Sequence, residues 1–406
     1  MAARSTPVTE RLALKFMRRQ PNWTPAAPSD DPIHLLNPAE REALRRIERQ
    51  AIVRAAIAGA LSGAASFTAA LLANRGHPID GSRVSVHNLM TYWGWVGAVT
   101  IVASIFELGF LYLDGLRAVH RMACTAGLAF ETDTAQSRDA ELLSTLARAA
   151  LELPNPPKPL DGIDPLIESS AFFIFAVSLL YKAKIALTTF LVKALLRGVL
   201  GRIAARAVLD FVGVPVTAIW NAIVCHYVLR EARIRILGPF AVTELLSSVH
   251  ASTELGRAAF AIAQRAAASA VVRSRNFHPN HLALIRRLNE TLALEEVPEP
   301  DNTERFVHEL RSLSAAEQTF ALHVLVTASI VDGKLTRAER RLLRQAYDAC
   351  GRELALDRIE AVTRAFRAGQ PITEEVHLAV QGPVFTEQFN TPPERFDSSS
   401  KGSALS

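Results

Sequence analysis

The strongest constraint on this chain is an uncharged apolar stretch of nineteen residues, from Ala55 to Ala73. At a rise of about 1.5 Å per residue, a helix of this length crosses a bilayer core of about 30 Å. A second apolar run extends from Leu89 to Leu113, and its one charged residue is Glu107. The two runs predict a transmembrane hairpin in the first third of the chain.

The charges around the first stretch predict its orientation. Five arginines precede it: Arg41, Arg45, Arg46, Arg49 and Arg54. Only Arg75 and Arg83 lie in the loop that follows, between Asn74 and His87. Because basic residues accumulate on the cytoplasmic side of a membrane, we expect the N-terminus in the cytoplasm and this loop outside.

The composition fits a chain that is partly embedded in a membrane and partly soluble. Apolar residues make up 49% of the 406 residues, and the formal net charge is +5. Basic residues beside membrane spans are attracted to acidic headgroups, so we expect the lipid bilayer as a partner and no nucleic acid. The three cysteines, Cys124, Cys225 and Cys350, are too far apart to predict a disulfide framework or a zinc site.

Gly59 and Gly63 in the first stretch are spaced so that both lie on one helical face. Small residues at this spacing let a second helix approach closely. The pair therefore predicts a helix contact, although alanine-rich spans also contain such pairs by chance.

Four charged residues fall inside apolar runs: Glu107, Lys182, Lys184 and Asp210. A charged group within a bilayer faces protein or water rather than lipid, because lipid cannot solvate it. These residues either pair within a helical bundle or mark an ion path. For Glu107 a further interpretation is open, in which the span ends earlier and the carboxylate lies near the cytoplasmic surface.

The region from 165 to 240 contains further apolar segments, with arginines on both sides of the run from Ala207 to Leu229. The positive-inside rule cannot be satisfied on both flanks if this run crosses the membrane. The region forms either a second transmembrane hairpin or a re-entrant or interfacial segment. The chain therefore has two to four membrane segments.

Short motifs in this region resemble those of bacterial EcsC-type membrane-associated proteins. The motifs are Gly201-Arg-Ile-Ala-Ala-Arg206, Val212-Gly-Val-Pro215, which we interpret as a turn, Trp220-Asn221 and the run from Val228 to Leu245. The resemblance covers about residues 165–250. It implies a bacterial envelope protein without a settled catalytic role, and we therefore expect a multi-pass protein of the inner membrane with both termini in the cytoplasm.

The C-terminal part contains two helix starts separated by a turn. Ser314-Ala-Ala-Glu317 and Thr336-Arg-Ala-Glu339 are capping boxes, and Asp332-Gly333 ends the first helix. The segment from Ala328 to Leu343, in which a glutamate comes seven residues after the aspartate, resembles the TerB-like fold of tellurite-resistance proteins. The resemblance covers about residues 312–368 and implies a small helical domain with an acidic site.

Asp332 and Glu339 approach each other across this turn and offer hard oxygen ligands to a divalent cation. The alternative is capping, in which Asp332 closes the turn and Glu339 bonds back to Thr336. The pattern favours capping, because no third carboxylate lies nearby in the sequence. His278-Pro-Asn-His281 also has metal-ligand spacing. Its proline prevents both histidines from lying on one helical face, so we expect no metal site there.

The whole chain is therefore predicted to be an all-α membrane protein with a small C-terminal cytoplasmic domain. Its segments are a disordered arm (1–36), an N-terminal helix with the transmembrane hairpin (37–116), a cytoplasmic connector (117–164), the second membrane hairpin or interfacial region (165–240), cytoplasmic helices (241–295), the TerB-like domain (312–368) and a disordered tail (369–406).

No nucleophile elbow, phosphate loop, metalloprotease helix or nucleotide fingerprint occurs in the sequence, so we expect neither an enzyme nor a cofactor, with a divalent cation at Asp332 and Glu339 as the alternative to capping. We expect a membrane-anchored interaction or regulatory protein of envelope or stress physiology. Its C-terminal domain would bind protein partners, and assembly into a homo-oligomer is compatible with the pattern. The alternative is transport of an ion or small solute through a bundle that contains the intramembrane charges.

Overall fold

The computed structural model describes residues 8–21, 35–76, 86–128, 137–151, 163–165, 206–250, 257–292 and 297–381. Within these ranges the chain is all-helical and has no strand, which confirms the all-α part of the predicted fold class. The helices are α1 (Val8–Arg18), α2 (Pro38–Gly76), α3 (Val86–Thr125), α4 (Ser137–Ala150), α5 (Arg206–His250), α6 (Arg257–Ser274), α7 (Pro279–Leu292), α8 (Thr303–Leu310), α9 (Ala315–Ile330), α10 (Arg337–Ala349), α11 (Leu356–Ala368) and α12 (Thr373–Gln381).

Three helices, α2, α3 and α5, contain 39, 40 and 45 residues and pack along one another. We call them the long-helix bundle. α5 runs antiparallel to α2. Arg233, late in α5, forms a salt bridge of 2.6 Å with Glu48, early in α2. Val214, early in α5, lies against Gly63, later in α2.

The exposed large apolar side chains are concentrated on the bundle. They include Val53, Ile57, Leu61, Leu71 and Leu72 on α2, Met90, Trp93, Trp95, Ile101, Val102, Ile105, Phe106, Leu108, Phe110, Tyr112 and Leu113 on α3, and Ile219, Trp220, Ile223 and Tyr227 on α5. Two described helices, α2 and α3, are long and apolar enough to cross a membrane. The most apolar window of α3 has no residue buried inside the molecule, unlike the core helix of a soluble protein.

A helical core is formed by α1, α4 and α6–α12, together with one end of each bundle helix. α9 is its central element, because every residue from Phe320 to Ile330 is buried, as expected for a helix that is surrounded on all sides. It packs against α6 and α12. α5 enters the core at Leu229, and Ala232, Ile234 and Leu237 are buried beyond that point.

The structure differs from the predicted segments at both ends of the chain. Residues 8–18, assigned to a disordered arm, form α1, because Met17 fills the core and Glu10 accepts hydrogen bonds from Ser144 and Arg148. Residues 373–381, assigned to a disordered tail, form α12, and Tyr347 donates a hydrogen bond to the Ala379 carbonyl. Residues 1–7, 22–34 and 382–406 lie outside the described residues.

The middle of the chain also differs from the predicted segments. The boundary drawn at residue 240 falls inside α5, and the helices of 241–295 and 312–368 share one core, since α6 packs against both α8 and α9. The predicted turn at Gly213-Val-Pro215 is wrong, because α5 continues through Pro215 and again through Pro239. Residues 166–205 lie outside the described residues.

Candidate functional site

Three buried side chains meet where the start of α7 contacts the turn between α9 and α10. One ring nitrogen of His281 and one carboxylate oxygen from each of Asp332 and Glu339 lie within 4.8 Å of one another. The exposed fractions of these residues are 1%, 5% and 0%. Among the described residues, this is the only group of three histidines, cysteines or carboxylates that meets in this way. We call it the His281 cluster.

The turn that follows α9 fixes Asp332. Its Oδ1 accepts a hydrogen bond of 2.8 Å from the Lys334 backbone amide, which holds the carboxylate beside the turn. Gly333 has a φ of 70°, in the left-handed region. A Cβ at this position would lie 2.6 Å from the Cδ1 of Ile234 on α5. The left-handed φ therefore favours glycine at this turn, and the absence of a side chain leaves room for Ile234.

The capping box of α10 fixes Glu339. Its Oε2 accepts a hydrogen bond of 2.7 Å from the backbone amide of Thr336, while the Thr336 hydroxyl accepts one from the Glu339 amide. The other carboxylate oxygen, Oε1, is buried and has no hydrogen-bond partner. Burial, with a further contribution from the charge of Asp332, raises the pKa of Glu339 to about 8. A capping role therefore accounts for only one of its two oxygens.

His281 approaches the carboxylates from α7. Its Nε2 lies 2.9 Å from the Ala328 carbonyl, so the neutral ring donates through Nε2. Its Nδ1 makes no hydrogen bond of normal geometry. Burial lowers the pKa of His281, although the charge of Asp332 and the carbonyls of Ala328 and Asn276 oppose this shift. A neutral imidazole is the form that binds metal ions.

Asn280 anchors the cluster to the rest of the core. Its Nδ2 donates hydrogen bonds of 2.8 Å to the Ile234 carbonyl on α5 and 2.6 Å to the Val331 carbonyl at the end of α9. Gly238 of α5 leaves the space that this side chain occupies, because a Cβ there would lie 2.0 Å from the Asn280 Cγ. The start of α7 is therefore fixed against both helices.

The two histidines of His278-Pro-Asn-His281 have different partners. His278 Nε2 lies 3.1 Å from Oε1 of Glu231 on α5, whereas His281 faces Asp332 and Glu339. The sequence motif pairs the two histidines with each other and does not indicate the contact of His281 with the Asp332-Gly333 turn. Only the contact between α7 and the α9–α10 turn reveals that connection, because the three residues share no local sequence motif.

Glu107 is the one predicted intramembrane charge whose side chain the structure describes. Its Oε1 accepts a hydrogen bond from Nδ2 of Asn221 on α5. The structure describes Asp210 through its backbone in α5 but not through its side chain, and Lys182 and Lys184 lie outside the described residues.

Gly59 and Gly63 lie at the contact between α2 and α5. A Cβ on Gly59 would lie 2.6 Å from the Thr217 carbonyl oxygen, and one on Gly63 would lie 3.0 Å from the Val214 Cα. Two backbones can approach this closely only where a side chain is missing.

No protein-family model, curated protein or solved structure matches this chain. The resemblances to EcsC-type and TerB-like proteins therefore rest on the sequence motifs alone.

Proposed function

We propose that this chain is an integral membrane protein that holds a helical core at the cytoplasmic face of a bilayer, where the core binds protein partners. The observation that carries the proposal is the concentration of exposed large apolar side chains on the long-helix bundle. Each such side chain left in water forgoes about 1.5–3 kcal/mol of burial energy, which lipid would recover.

A salt bridge of 2.9 Å joins Arg54 of α2 to Asp114 of α3, at the ends of the two apolar runs nearest the core. Charged pairs of this kind are favoured at the level of the headgroups, so we take it as the cytoplasmic boundary. α5 lies antiparallel to α2 in the same bundle, and Trp220 and Ile223 continue the exposed apolar surface. These features support α5 as a third membrane segment.

The exposed face of α10 is the partner-binding surface that we favour. Arg337, Arg341 and Arg344 are four and then three residues apart, so they lie on one helical face, and all three are exposed. None of them forms a salt bridge with another described residue, whereas their neighbour Arg340 pairs with Glu360 at 3.0 Å. An unpaired row of guanidinium groups fits a protein partner with an acidic surface.

Cysteine labelling in intact cells tests the topology. Single cysteines at Ser82, Arg206 and Ser314 would be introduced into a chain that lacks Cys124, Cys225 and Cys350. We expect an impermeant maleimide to label positions 82 and 206 from outside, and position 314 only after lysis. Labelling of position 314 in intact cells, or recovery of the protein in the soluble fraction, would contradict the proposal.

Crosslinking and pull-down from cells test the partner surface. We expect Arg341→Glu/Arg344→Glu to lose crosslinked partners that the unmodified chain recovers. Arg358→Glu/Arg364→Glu on α11 is a matched control, because it makes the same charge change on exposed arginines elsewhere in the core. Equal recovery by both variants would argue against the α10 face. Deletion of 312–368 is not a usable control, since α9 is central to the core.

Transport is the second candidate, and the position of Glu107 within the bundle is the observation that favours it. The hydrogen bond from Asn221 gives this carboxylate a structural partner, which makes pairing the simpler account. Ion flux into proteoliposomes would be compared between the unmodified chain and Glu107→Gln. Equal flux would rule out an ion path through this residue.

A further inference from the structure

We propose that His281, Asp332 and Glu339 bind a divalent transition-metal ion, with Zn²⁺ and Mn²⁺ as the best candidates. This site goes beyond the proposed interaction function and does not depend on it. The protein would supply three ligands, one ring nitrogen and two carboxylates, and water would occupy the remaining coordination positions.

The unpaired atoms of the cluster favour a ligand over simple capping. The Oε1 of Glu339 lies in a fully buried side chain and makes no hydrogen bond. A buried polar atom without a partner is unfavourable, and native structures retain few of them. Coordination of an ion would satisfy this oxygen without disturbing the hydrogen bond that Oε2 makes to Thr336.

The chemistry of the donors favours a transition metal over calcium or magnesium. Imidazole suits zinc, iron and nickel, and carboxylates suit manganese and zinc as well as the harder cations. Calcium takes six to eight oxygen ligands, and magnesium prefers an octahedral shell of oxygens. A buried cluster of one nitrogen and two carboxylates therefore matches the first-row divalent ions best.

The surroundings of the ligands hold them close to a binding geometry. The Ala328 carbonyl accepts a hydrogen bond from Nε2 of His281. A hydrogen bond to a backbone carbonyl commonly orients a metal-binding imidazole. The Lys334 amide fixes Asp332, and the Thr336 amide fixes Glu339. In a tetrahedral site, ligand atoms about 2.1 Å from the ion lie about 3.4 Å from one another, so binding would draw together three atoms that now lie within 4.8 Å of one another.

A proton shared between the two carboxylates is the rival explanation, and metal titration separates the two. The full chain in lipid nanodiscs would be stripped with EDTA and titrated with Zn²⁺ by calorimetry and with Co²⁺ by visible absorption. We expect one saturable site, with Co²⁺ bands typical of nitrogen and oxygen ligands. Binding to Glu339→Gln and to His281→Gln should be weaker by at least roughly tenfold.

His278→Gln is the matched control, because it changes the other histidine of the same motif, and its binding should stay within about twofold of the unmodified chain. Glu339→Gln keeps an oxygen that can accept from Thr336, so this variant decides the outcome if His281→Gln fails to fold. No saturable binding to the unmodified chain, or equal binding to Glu339→Gln, overturns the site. Tighter binding of Ca²⁺ than of Zn²⁺ overturns the assigned class of ion.

Discussion

Thr217 on α5 donates its hydroxyl hydrogen bond to the backbone carbonyl of Gly59 on α2, with an Oγ1–O distance of 2.8 Å. The two backbones are close enough for this bond because Gly59 has no side chain, and a Cβ there would meet the Thr217 carbonyl. The contact lies within the apolar part of the long-helix bundle, among the exposed Ile57, Leu61 and Ile219, and it fixes the register of α5 along α2.

Gly59→Ala is expected to destabilise the bundle by about 1–3 kcal/mol, because the added methyl group meets backbone atoms that cannot rotate away. Thermal unfolding in detergent, followed by near-UV circular dichroism, measures the effect. Gly97→Ala in α3 is the matched control, because no atom lies within 4 Å of its Cβ position. That variant should be neutral or more stable by up to about 1 kcal/mol. Equal midpoints for the two variants would contradict the packing role of Gly59.

Asn221→Ala is expected to destabilise the chain by about 1–3 kcal/mol, because it leaves the Glu107 carboxylate without its described partner. A double-mutant cycle with Glu107→Ala isolates this interaction. In the Glu107→Ala background the loss of Asn221 should cost clearly less. Additive effects in thermal unfolding would show that the two residues do not stabilise each other.

His323→Leu is expected to stabilise the core at pH 7 by about 1 kcal/mol, because both nitrogens of this buried ring lack hydrogen-bond partners. Burial, and to a smaller extent the charge of His377, lowers the pKa of His323 to about 4. The unfolded chain therefore binds a proton more readily between pH 6.5 and 4, so the histidine lowers stability as the pH falls through this window. Chemical denaturation measures the free energy of unfolding at pH 7 and at pH 5. Its decrease between the two pH values should be smaller for His323→Leu than for the unmodified chain. An unchanged pH dependence would contradict this assignment.

Glu339→Gln is expected to change how the stability of the metal-free chain depends on pH. Because the pKa of Glu339 is raised to about 8 in the folded chain, ionisation favours the unfolded state, and stability falls as the pH rises from 4.5 to 8. The variant should lose this slope and unfold at a higher temperature than the unmodified chain at pH 8. Glu317→Gln, at the same position of the other capping box, is the control and should keep the slope.

Local sequence rules account for much of the fold. The apolar runs predicted long helices, and both capping boxes begin helices where the sequence places them, with reciprocal hydrogen bonds at Ser314–Glu317 and Thr336–Glu339. These features depend on residues three or four apart, which a sequence displays directly.

The features that the sequence does not predict all depend on contacts between residues far apart in the chain. α1 and α12 are too short to be stable alone, and they form because Met17 and Val376 fill the core. α5 continues through Pro215 because packing against α2 outweighs the missing hydrogen bond. The sequence pattern does not predict that His281 and Asp332 meet, because only the packing of α7 against the turn after α9 brings them together.

The continuity of α5 gives the molecule a mechanical property. One helix carries Trp220 on the exposed apolar surface and Gly238 beneath Asn280, eighteen residues farther along, or about 27 Å at 1.5 Å per residue. In a bilayer, a change in thickness alters the tilt of the helices that cross it. If α5 crosses the bilayer as we propose, a change in its tilt moves the helix surface at Ile234 and Gly238, against which Asn280 packs beside the His281 cluster.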